Sequence, residues 1–281
     1  STMIRQAHIE RALESDAHRN GRIKDQVFDT IRDGTTLLSV AGEVVGQINA
    51  LSVMSTGGIE FGMPNLVTAN CYFGDGTITD IEHHAKLGGN IHTKGVLILS
   101  SYLSSIFAQE SVMPLSASLA FEQSYGEVDG DSASLAELCV ILSSLAEVPL
   151  RQDIAITGSV NQLGQVQPIG GVNEKIEGFF DICKEKGLTG TQGVIIPASN
   201  IKYLMLRWDV VHAAKAGQFT IYTVETVNEA LQCLTDMAPG LRNEDGYFPA
   251  CSFNAKVEEQ LLSFNTIRQQ FMAADNSSTM G

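Results

Sequence analysis

Ser132 is a residue whose type and setting could support covalent chemistry. It lies in EVDGDSASLAE, residues 127–137, where small and acidic residues precede an apolar run. A serine hydroxyl becomes a nucleophile when a neighbouring base removes its proton. Ser and Asp are also the residues that commonly cap helix N-termini. This stretch alone fits a helix cap better than a nucleophile, so the assignment depends on a base elsewhere in the chain.

The base for a serine nucleophile is usually a histidine, and lysine is the other option. All six histidines lie outside the segments that flank Ser132, although sequence distance alone does not exclude one of them. They are His8, His18, His83, His84, His92 and His212. A lysine can replace them if it is buried among apolar side chains, because burial disfavours its charged form.

Lys175 meets that requirement in the segment PIGGVNEKIEGFF. Gly170 and Gly171 allow a tight turn, and the following helix pattern places Lys175 on an apolar face with Val172 and Ile176. For a single lysine the usual outcome is different, because the aliphatic stem covers the apolar face while the amine reaches water. Both interpretations of Lys175 follow from its local sequence.

His83, His84 and His92 are close in sequence and could suggest a metal site. Adjacent residues on a strand point to opposite faces, so on a strand His83 and His84 could not readily share an ion. A surface or hydrogen-bonding role fits the three histidines better, and the sequence predicts no metal site in this chain.

Composition excludes several classes of partner. The chain has 281 residues, 44% of them hydrophobic, and a net charge of −14. Nucleic acids and anionic membranes are poor partners, because binding phosphates relies on clustered Lys and Arg. The longest apolar run, Gly95–Ala108, is too short and too rich in serine for the roughly 20 residues of a membrane helix. The cysteines lack metal-binding spacing, so we expect reduced thiols and a cytoplasmic location.

The pattern of apolar residues predicts three regions. Residues 1–34 are expected to form a helical linker, since Ile4–Asp33 has apolar residues at three- and four-residue spacings. Residues 35–238 begin with short β-rich runs and continue with alternating helices and strands, which predicts one compact α+β domain. Residues 239–281 are expected to form a tail, disordered or partly helical, with a helix over Val257–Met272.

Two motifs together resemble the proteolytic domain of the Lon proteases, which work by a Ser–Lys dyad. They are DGDSAS at Asp129–Ser134 and PIGGVNEK at Pro168–Lys175, and Ser132 precedes Lys175 by 43 positions, as we expect of that family. Thr157-Gly158 matches a Thr-Gly pair that lies near the dyad, and FEQSYGEVDGDSAS resembles the LonB-like branch. The resemblance runs from about Ile9 to about Met237 and implies the α+β fold of the Lon proteolytic domain.

The resemblance implies that Ser132 and Lys175 are catalytic. Ser132 Oγ would attack the scissile carbonyl, and neutral Lys175 would take its proton and later return it to the leaving amine. A helix beginning at Ser132 would direct its N–H groups at the developing oxyanion. Gly130 and Ala133 would keep the turn small enough for a peptide to approach.

Thr157 and Asp131 have supporting roles in the same resemblance. Thr157 would hydrogen-bond and orient Lys175, while Asp131 would shape the turn. An alternative remains open for Asp131, whose carboxylate could hold Lys175 protonated and silence the site until an oligomer or a substrate rearranges it.

The chain has no Gly-Lys dipeptide and therefore lacks a phosphate-binding loop of the Gly-x-x-x-x-Gly-Lys type. In the Lon family an ATP-driven module unfolds proteins and threads them into a chamber formed by a ring, typically of six subunits. Because Ile4–Asp33 resembles the link to that module, we expect a longer protein. The implied partners are unfolded proteins or peptides and further copies in a hexameric ring. No cofactor is expected in this chain, since ATP and Mg²⁺ would serve only the absent ATPase module.

Two other functions stay open at this point. One is a stand-alone, ATP-independent peptidase. The other is a non-catalytic ring or adaptor module that keeps the fold without activity, and the presence of Ser132, Lys175 and Thr157 weighs against it.

Overall fold

The computed structural model describes residues 3–9, 11–12, 15, 21–56, 59–108 and 113–278. Helices and strands are mixed along the chain, which confirms the predicted α+β class. The helices are α1 (Arg22–Arg32), α2 (Ile81–His84), α3 (Asn90–Phe107), α4 (Ser134–Ala146), α5 (Val172–Lys186), α6 (Trp208–Lys215), α7 (Val227–Thr235) and α8 (Phe253–Ser278). The strands are β1 (Glu43–Val44), β2 (Gln47–Thr56), β3 (Ile59–Phe73), β4 (Ile78–Asp80), β5 (Leu115–Phe121), β6 (Leu150–Arg151), β7 (Ile154–Ile156), β8 (Ser159–Val160), β9 (Val166–Gln167), β10 (Gly193–Pro197) and β11 (Thr220–Val224).

Seven of the strands in the described residues form one mixed sheet in the order β11-β10-β7-β2-β3-β5-β4. The long antiparallel pair of β2 and β3 runs from the Gln47–Thr68 pairing to the Thr56–Ile59 pairing. The short strand β7 pairs in parallel with β2 on one side and with β10 on the other. Thus β7 joins the antiparallel strands β2, β3 and β5 to the parallel strands β10 and β11.

Alternate residues of the central strands pack on opposite faces of the sheet. Ile154, Ile156 and Ile195 belong to the core that contains α3, α4, α7 and α8, whereas Ala155 and Val194 belong to the core that contains α1, α5 and α6. This alternation follows from the two-residue period of a strand. Strands buried on both faces have continuous apolar sequences, as GVIIP does in β10. The sheet therefore separates two helical layers.

Helix α4 is buried along almost its whole surface. Its sequence SLAELCVILSSLA is apolar nearly all round, and every residue except Ser144 is buried. A helix with that pattern is expected inside a core rather than on its surface. It packs against β2, β3, α3 and α8, so the turn that precedes it is attached to a rigid element.

The C-terminal region is more ordered than the sequence predicts. A helix is predicted over Val257–Met272, but α8 starts earlier, and the side chains of Phe253, Val257 and Leu261 are 0–4% exposed within the main core. Their four-residue spacing builds one apolar stripe, which the polar residues around it obscure. The division into residues 1–34, 35–238 and 239–281 remains a prediction, and parts of the first and last segments lie outside the described residues.

The histidine-rich segment is helical rather than extended. Asp80 ends β4, and its side chain accepts a hydrogen bond from the His83 N–H at 3.3 Å, so the chain turns directly into α2. His83 Nδ1 lies 3.1 Å from Thr93 Oγ1, and His84 Nδ1 lies 2.8 Å from the Asp80 carbonyl oxygen. The hydrogen-bonding role of these two histidines is confirmed. A surface position is wrong for His92, which is 1% exposed because α3 packs it inward.

Two further observations concern the cysteines and the possibility of a membrane-spanning helix. All five cysteines are free thiols, two of them buried. Among the helices of the described residues, none combines the length and the apolar character needed to cross a membrane.

Candidate active site

Ser132 lies in a turn ahead of α4, and the helix itself begins at Ser134. Ala133 occupies the N-cap position, and no side chain caps this helix. The predicted helix start at Ser132 is therefore wrong by two residues, because the chain turns here with the Ser134 N–H donating to the Asp131 carbonyl at 3.0 Å. Since Ser132 caps nothing, its hydroxyl is free for other contacts.

The segment after β7 holds this turn in place. The Gly158 N–H donates to the Ser132 carbonyl at 2.9 Å, and Thr157 Oγ1 donates to the same carbonyl at 3.1 Å. The Leu135 N–H donates back to the Gly158 carbonyl at 3.1 Å. A Cβ at Gly158 would lie 2.8 Å from Leu135 Cδ2, so a larger residue here would require the Leu135 side chain to shift.

Lys175 sits in the first turn of α5 and is 2% exposed. The helix starts after Gly171, whose φ of 66° lies in the left-handed region that glycine adopts readily. The buried neighbours Val172, Ile176 and Phe179 share its face of the helix, as the sequence predicts. The amine does not reach water, which excludes the interpretation of Lys175 as a surface lysine.

Two glycines bring α5 against the backbone of β3. A Cβ at Gly62 would lie 2.6 Å from the Cα of Lys175, and a Cβ at Gly178 would collide with the Gly62 carbonyl. Separations below 3.0 Å essentially do not occur for real Cβ atoms. Gly62 and Gly178 thus allow α5 to lie close enough to β3 for Lys175 to be buried between them. Sequence reasoning missed both, because their contact exists only once strand and helix pack together.

The two predicted catalytic residues meet at the carboxyl end of β7. Lys175 Nζ donates to Ser132 Oγ at 2.9 Å and to Thr157 Oγ1 at 3.1 Å. Ser132 precedes α4 in one helical layer, and Lys175 belongs to α5 in the other layer. The two side chains meet beyond the end of β7, where the sheet no longer separates the layers. Thr157 is fully buried, whereas Ser132 is partly exposed. Residue 132 is therefore partly accessible to solvent, whereas the Lys175 side chain is shielded.

Burial sets the protonation of Lys175. Desolvation lowers the pKa of its amine to about 8, and the negative charge of Asp131 acts in the opposite direction. With that value about a tenth of the amines are neutral at pH 7, against fewer than one in a thousand for a lysine in water. A neutral amine that hydrogen-bonds a hydroxyl can remove its proton.

Asp131 points to a partner other than Lys175. Its Oδ2 accepts a hydrogen bond from Ser159 Oγ at 2.8 Å, while Lys175 donates to Ser132 and Thr157. This arrangement is contrary to the alternative in which Asp131 holds the lysine and silences the site. Asp131 instead shapes the turn, through Ser159 and through its carbonyl. Sequence reasoning missed Ser159, since no local motif links it to residue 131.

Gly130 and Ala133 flank the turn. Gly130 has a φ of 91°, a conformation that disfavours other residues, and a Cβ at this position would meet no atom within 4 Å. The space beside Gly130 is open, and the Ala133 side chain adds a single methyl group. The role expected for both residues, keeping the turn small enough for a peptide to approach, stays a prediction.

A family comparison matches the region that carries this constellation. Residues 125–236 match the Lon protease (S16) C-terminal proteolytic domain. That range includes Ser132, Thr157 and Lys175, which the structure places within hydrogen-bonding distance of one another.

Individual relatives agree with the family match. The chain is 50% identical over 227 residues to a putative Lon protease homolog of Escherichia coli (strain K12), covering 80% of this chain and 39% of the relative. It is 51% identical over 216 residues to a putative Lon protease homolog of Haemophilus influenzae, covering 76% and 36%. An archaeal Lon protease of Thermococcus kodakarensis is 31% identical over 204 residues, covering 72% and 29%. The chain thus spans well under half the length of these curated relatives.

The archaeal relatives agree with the resemblance to the LonB-like branch, and the family match falls on the residues that form the site. This chain therefore belongs to the Lon protease family and carries its C-terminal proteolytic domain.

Proposed function

We propose that this chain is a serine endopeptidase in which Ser132 is the nucleophile and Lys175 the general base. The observation that carries the proposal is the 2.9 Å hydrogen bond from the buried Lys175 amine to the partly exposed Ser132 hydroxyl. Membership of a protease family supports the same reaction class.

The reaction proceeds by acyl transfer. Lys175 Nζ takes the hydroxyl proton as Ser132 Oγ bonds to the scissile carbonyl carbon, and the resulting ammonium then protonates the leaving amine as the C–N bond breaks. Water attacks the ester, with Lys175 again as the base, and releases Ser132. The protons move only between Ser132, Lys175, water and the substrate, so the proposal assigns no cofactor to bond cleavage.

The turn at Ser132 also supplies candidate donors for the oxyanion. Within the described residues, the backbone N–H groups of Ser132 and Ala133 donate no hydrogen bond. They lie at the N-terminal end of α4, where unpaired N–H groups and the helix dipole favour negative charge. Preorganised donors of this kind contribute strongly to acyl transfer.

Thr157 is proposed as the residue that positions the lysine. Its hydroxyl donates to the Ser132 carbonyl and accepts from Lys175 Nζ, so it has one fixed orientation. Because Thr157 is fully buried, water does not replace these bonds. The amine is thereby directed at Ser132 Oγ.

The wider context is part of the proposal. We place this domain in an ATP-dependent protease that degrades unfolded proteins and peptides in the cytoplasm, as a homo-oligomeric ring of six subunits with ATP and Mg²⁺ bound by a separate module. The names of the relatives and their greater length support a larger Lon-type protein. Free cysteines suit a reducing compartment.

Hydrolysis of unfolded casein tests the proposal. The parent chain is compared with Ser132→Ala, and with Ser101→Ala as a matched control that removes an exposed serine hydroxyl of α3. We expect Ser132→Ala to abolish hydrolysis, and Ser101→Ala to match the parent. Circular dichroism confirms that each variant is folded, and assays with and without ATP separate cleavage from any ATP-driven step.

Cleavage that persists in Ser132→Ala overturns the proposal. If the folded parent does not cleave casein, a small unfolded peptide provides the second substrate, because it does not depend on a ring chamber. A parent inactive on both substrates favours the non-catalytic ring or adaptor.

A further inference from the structure

Three buried polar atoms converge without a hydrogen-bond partner at the corner where β4 passes into α2. They are Asp80 Oδ2, Glu82 Oε2 and His92 Nε2; within the described residues none of them makes a hydrogen bond, and Asp80 Oδ2 and His92 Nε2 lie at ion-pair distance, 3.2 Å apart. The three residues are 1–4% exposed, and one potential ligand atom from each lies within 4.8 Å of the others. Buried polar atoms are normally paired, so three that face each other call for an occupant.

The two carboxylates are held so that one oxygen of each is left over. Asp80 Oδ1 accepts from the His83 N–H at 3.3 Å, and Glu82 Oε1 accepts from the Phe121 N–H at 2.9 Å. These backbone donors fix the orientation of both carboxylates. The second oxygen of each is thereby directed into the cluster, as is found for carboxylates that bind metal ions.

The imidazole of His92 lies between two carboxyl groups at ion-pair distances, and Glu137 Oε1 makes no hydrogen bond in the part of the chain that the structure describes. The ring Nδ1 lies 3.4 Å from Glu137 Oε1, and the ring Nε2 lies 3.2 Å from Asp80 Oδ2. Histidines that bind metals usually direct the other ring nitrogen at a carboxylate, which orients the ring and sets its tautomer. Glu137 stands in that position.

We propose that Asp80, Glu82 and His92 form a structural site for a divalent transition-metal ion, Zn²⁺. Ligands about 2.0–2.1 Å from Zn²⁺ lie roughly 3.3 Å apart in a tetrahedral site, close to the separation between His92 Nε2 and Asp80 Oδ2. An imidazole with two carboxylates suits Zn²⁺ better than Mg²⁺ or Ca²⁺, which prefer oxygen ligands alone. A cation also balances carboxylates that are costly to bury unpaired.

The site lies outside the dyad but supports the same part of the fold. It joins the end of β4, α2 and α3, and through Glu137 it contacts α4, which follows the Ser132 turn. A bound ion would hold this corner together during folding. The sequence predicts no metal site in this chain, and this cluster escapes notice there because Asp80, Glu82 and Glu137 belong to no ligand-spacing motif with His92.

Metal content after refolding tests the site. The full chain is unfolded with a chelator and a reductant, refolded with Zn²⁺, Mg²⁺ or Ca²⁺, freed of unbound ions, and analysed for metal by mass spectrometry. We expect about one Zn²⁺ per chain and a melting temperature roughly 5 °C or more above that of the metal-free chain. X-ray absorption at the Zn edge should show one imidazole nitrogen and carboxylate oxygens at about 2.0–2.1 Å.

Two variants and one control locate the ion. Asp80→Asn and His92→Gln should retain less than about a tenth of the parent's Zn²⁺, whereas His212→Gln, which changes an exposed histidine of α6, should retain all of it. Equal retention by all three variants would assign the metal to cysteines or to the surface and overturn the proposal. A parent chain that binds no Zn²⁺ overturns it too, and leaves a protonated His92 to balance the carboxylates. The absorption spectrum of the parent identifies the ligands even if a variant does not fold, and a spectrum with sulfur ligands would also overturn the proposal.

Discussion

Lys175 owes its chemistry to its surroundings, because a lysine in water stays protonated far above neutral pH. Burial disfavours the ammonium, the Asp131 charge partly restores it, and the result is a pKa of about 8. The amine donates to Ser132 and Thr157, and these two hydrogen bonds hold it beside the Ser132 hydroxyl. The residue therefore combines a lowered pKa with a fixed position.

The pH dependence of hydrolysis should report this lysine. In the proposed mechanism neutral Lys175 is the active form, so kcat/KM should rise about tenfold per pH unit below the pKa of about 8 and level off above it. The measurement is peptide hydrolysis from pH 6 to pH 10. A rate that is flat from pH 6 to pH 8 is contrary to a lysine base.

Burial of the Lys175 amine should also lower the free energy of unfolding. Because the pKa of Lys175 falls from 10.5 to about 8 on folding, the folded chain binds fewer protons than the unfolded chain between these values, so stability rises with pH across that window. Below pH 8 the lysine is charged in both the folded and the unfolded chain, so the full free-energy cost of burying the charge lowers the stability of the fold. Lys175→Met removes it, and we expect the free energy of unfolding at pH 7 to increase by roughly 1–3 kcal/mol while activity is lost.

Urea unfolding at pH 7 and pH 10 measures the difference in unfolding free energy between Lys175→Met and the parent chain. The gain from Lys175→Met should shrink at pH 10, where the parent lysine is largely neutral when folded. Lys184→Met is the matched control, since Lys184 is on the same helix with an exposed side chain. A Lys175→Met variant less stable than the parent at pH 7 contradicts the sign of this effect.

At the scale of elements, the dyad depends on how closely α5 approaches β3. Gly62 and Gly178 remove the side chains that would separate helix and strand, and Gly171 allows the left-handed turn that starts the helix. On the other side, β7 delivers Thr157 and Gly158, which fix the Ser132 turn. Each of the two proposed catalytic residues is thus positioned by backbone contacts between packed elements.

Gly62→Ala should therefore move Lys175 without touching the catalytic groups. A Cβ at 2.6 Å from the Lys175 Cα forces helix and strand apart, and we expect destabilisation of roughly 1–3 kcal/mol with a fall in kcat of at least about tenfold. Peptide hydrolysis and urea unfolding measure the two effects. Gly170→Ala is the control, since a Cβ there meets no atom within 4 Å. Equal activity of Gly62→Ala and the parent would show that this contact does not position the lysine.

At the scale of the whole molecule, one sheet carries two helical layers, and the site lies where they meet at the end of β7. Helix α8 belongs to this assembly. Its residues Phe253, Val257 and Leu261 pack into the layer that contains α4, the helix behind the nucleophile. Stability of the C-terminal helix and stability of the site are therefore coupled.

Phe253→Ala tests that coupling. Phe253 is fully buried, and its truncation should cost about 3–5 kcal/mol of unfolding free energy, whereas Leu262→Ala on the exposed side of α8 should cost under about 0.5 kcal/mol. Thermal unfolding measures both. If Phe253→Ala is as stable as Leu262→Ala, α8 is a loose tail, as the sequence alone suggests.

The contact between Ser132 and Lys175 can be predicted from sequence because each residue lies in a short motif. Ser132 follows small residues, Lys175 follows a glycine pair on an apolar helix face, and the structure brings both to Thr157. The start of α4 differs from its predicted position by two residues, since the turn depends on hydrogen bonds from Thr157 and Gly158 that only the folded chain makes.

Other features depend on tertiary contacts and have no local signal. Gly62 matters because a helix from another part of the chain lies on it, and His92 is buried because Asp80 and Glu137 converge on it. Phe253 has the spacing of a core stripe, but the polar composition of the tail conceals it. Patterns of composition predict elements well, whereas contacts between distant elements exist only in the folded chain.

Acylation of Ser132 is the measurement that tests the central claim most directly. The chain is incubated with a peptidyl β-lactone, which forms an ester with an activated hydroxyl, and the modified residue is located by peptide mass spectrometry. We predict one adduct, on Ser132, that grows faster as pH rises towards 8 and is lost in Lys175→Ala but not in Lys184→Ala. An adduct elsewhere, or equal acylation of Ser132 in Lys175→Ala, would contradict the Ser132–Lys175 dyad.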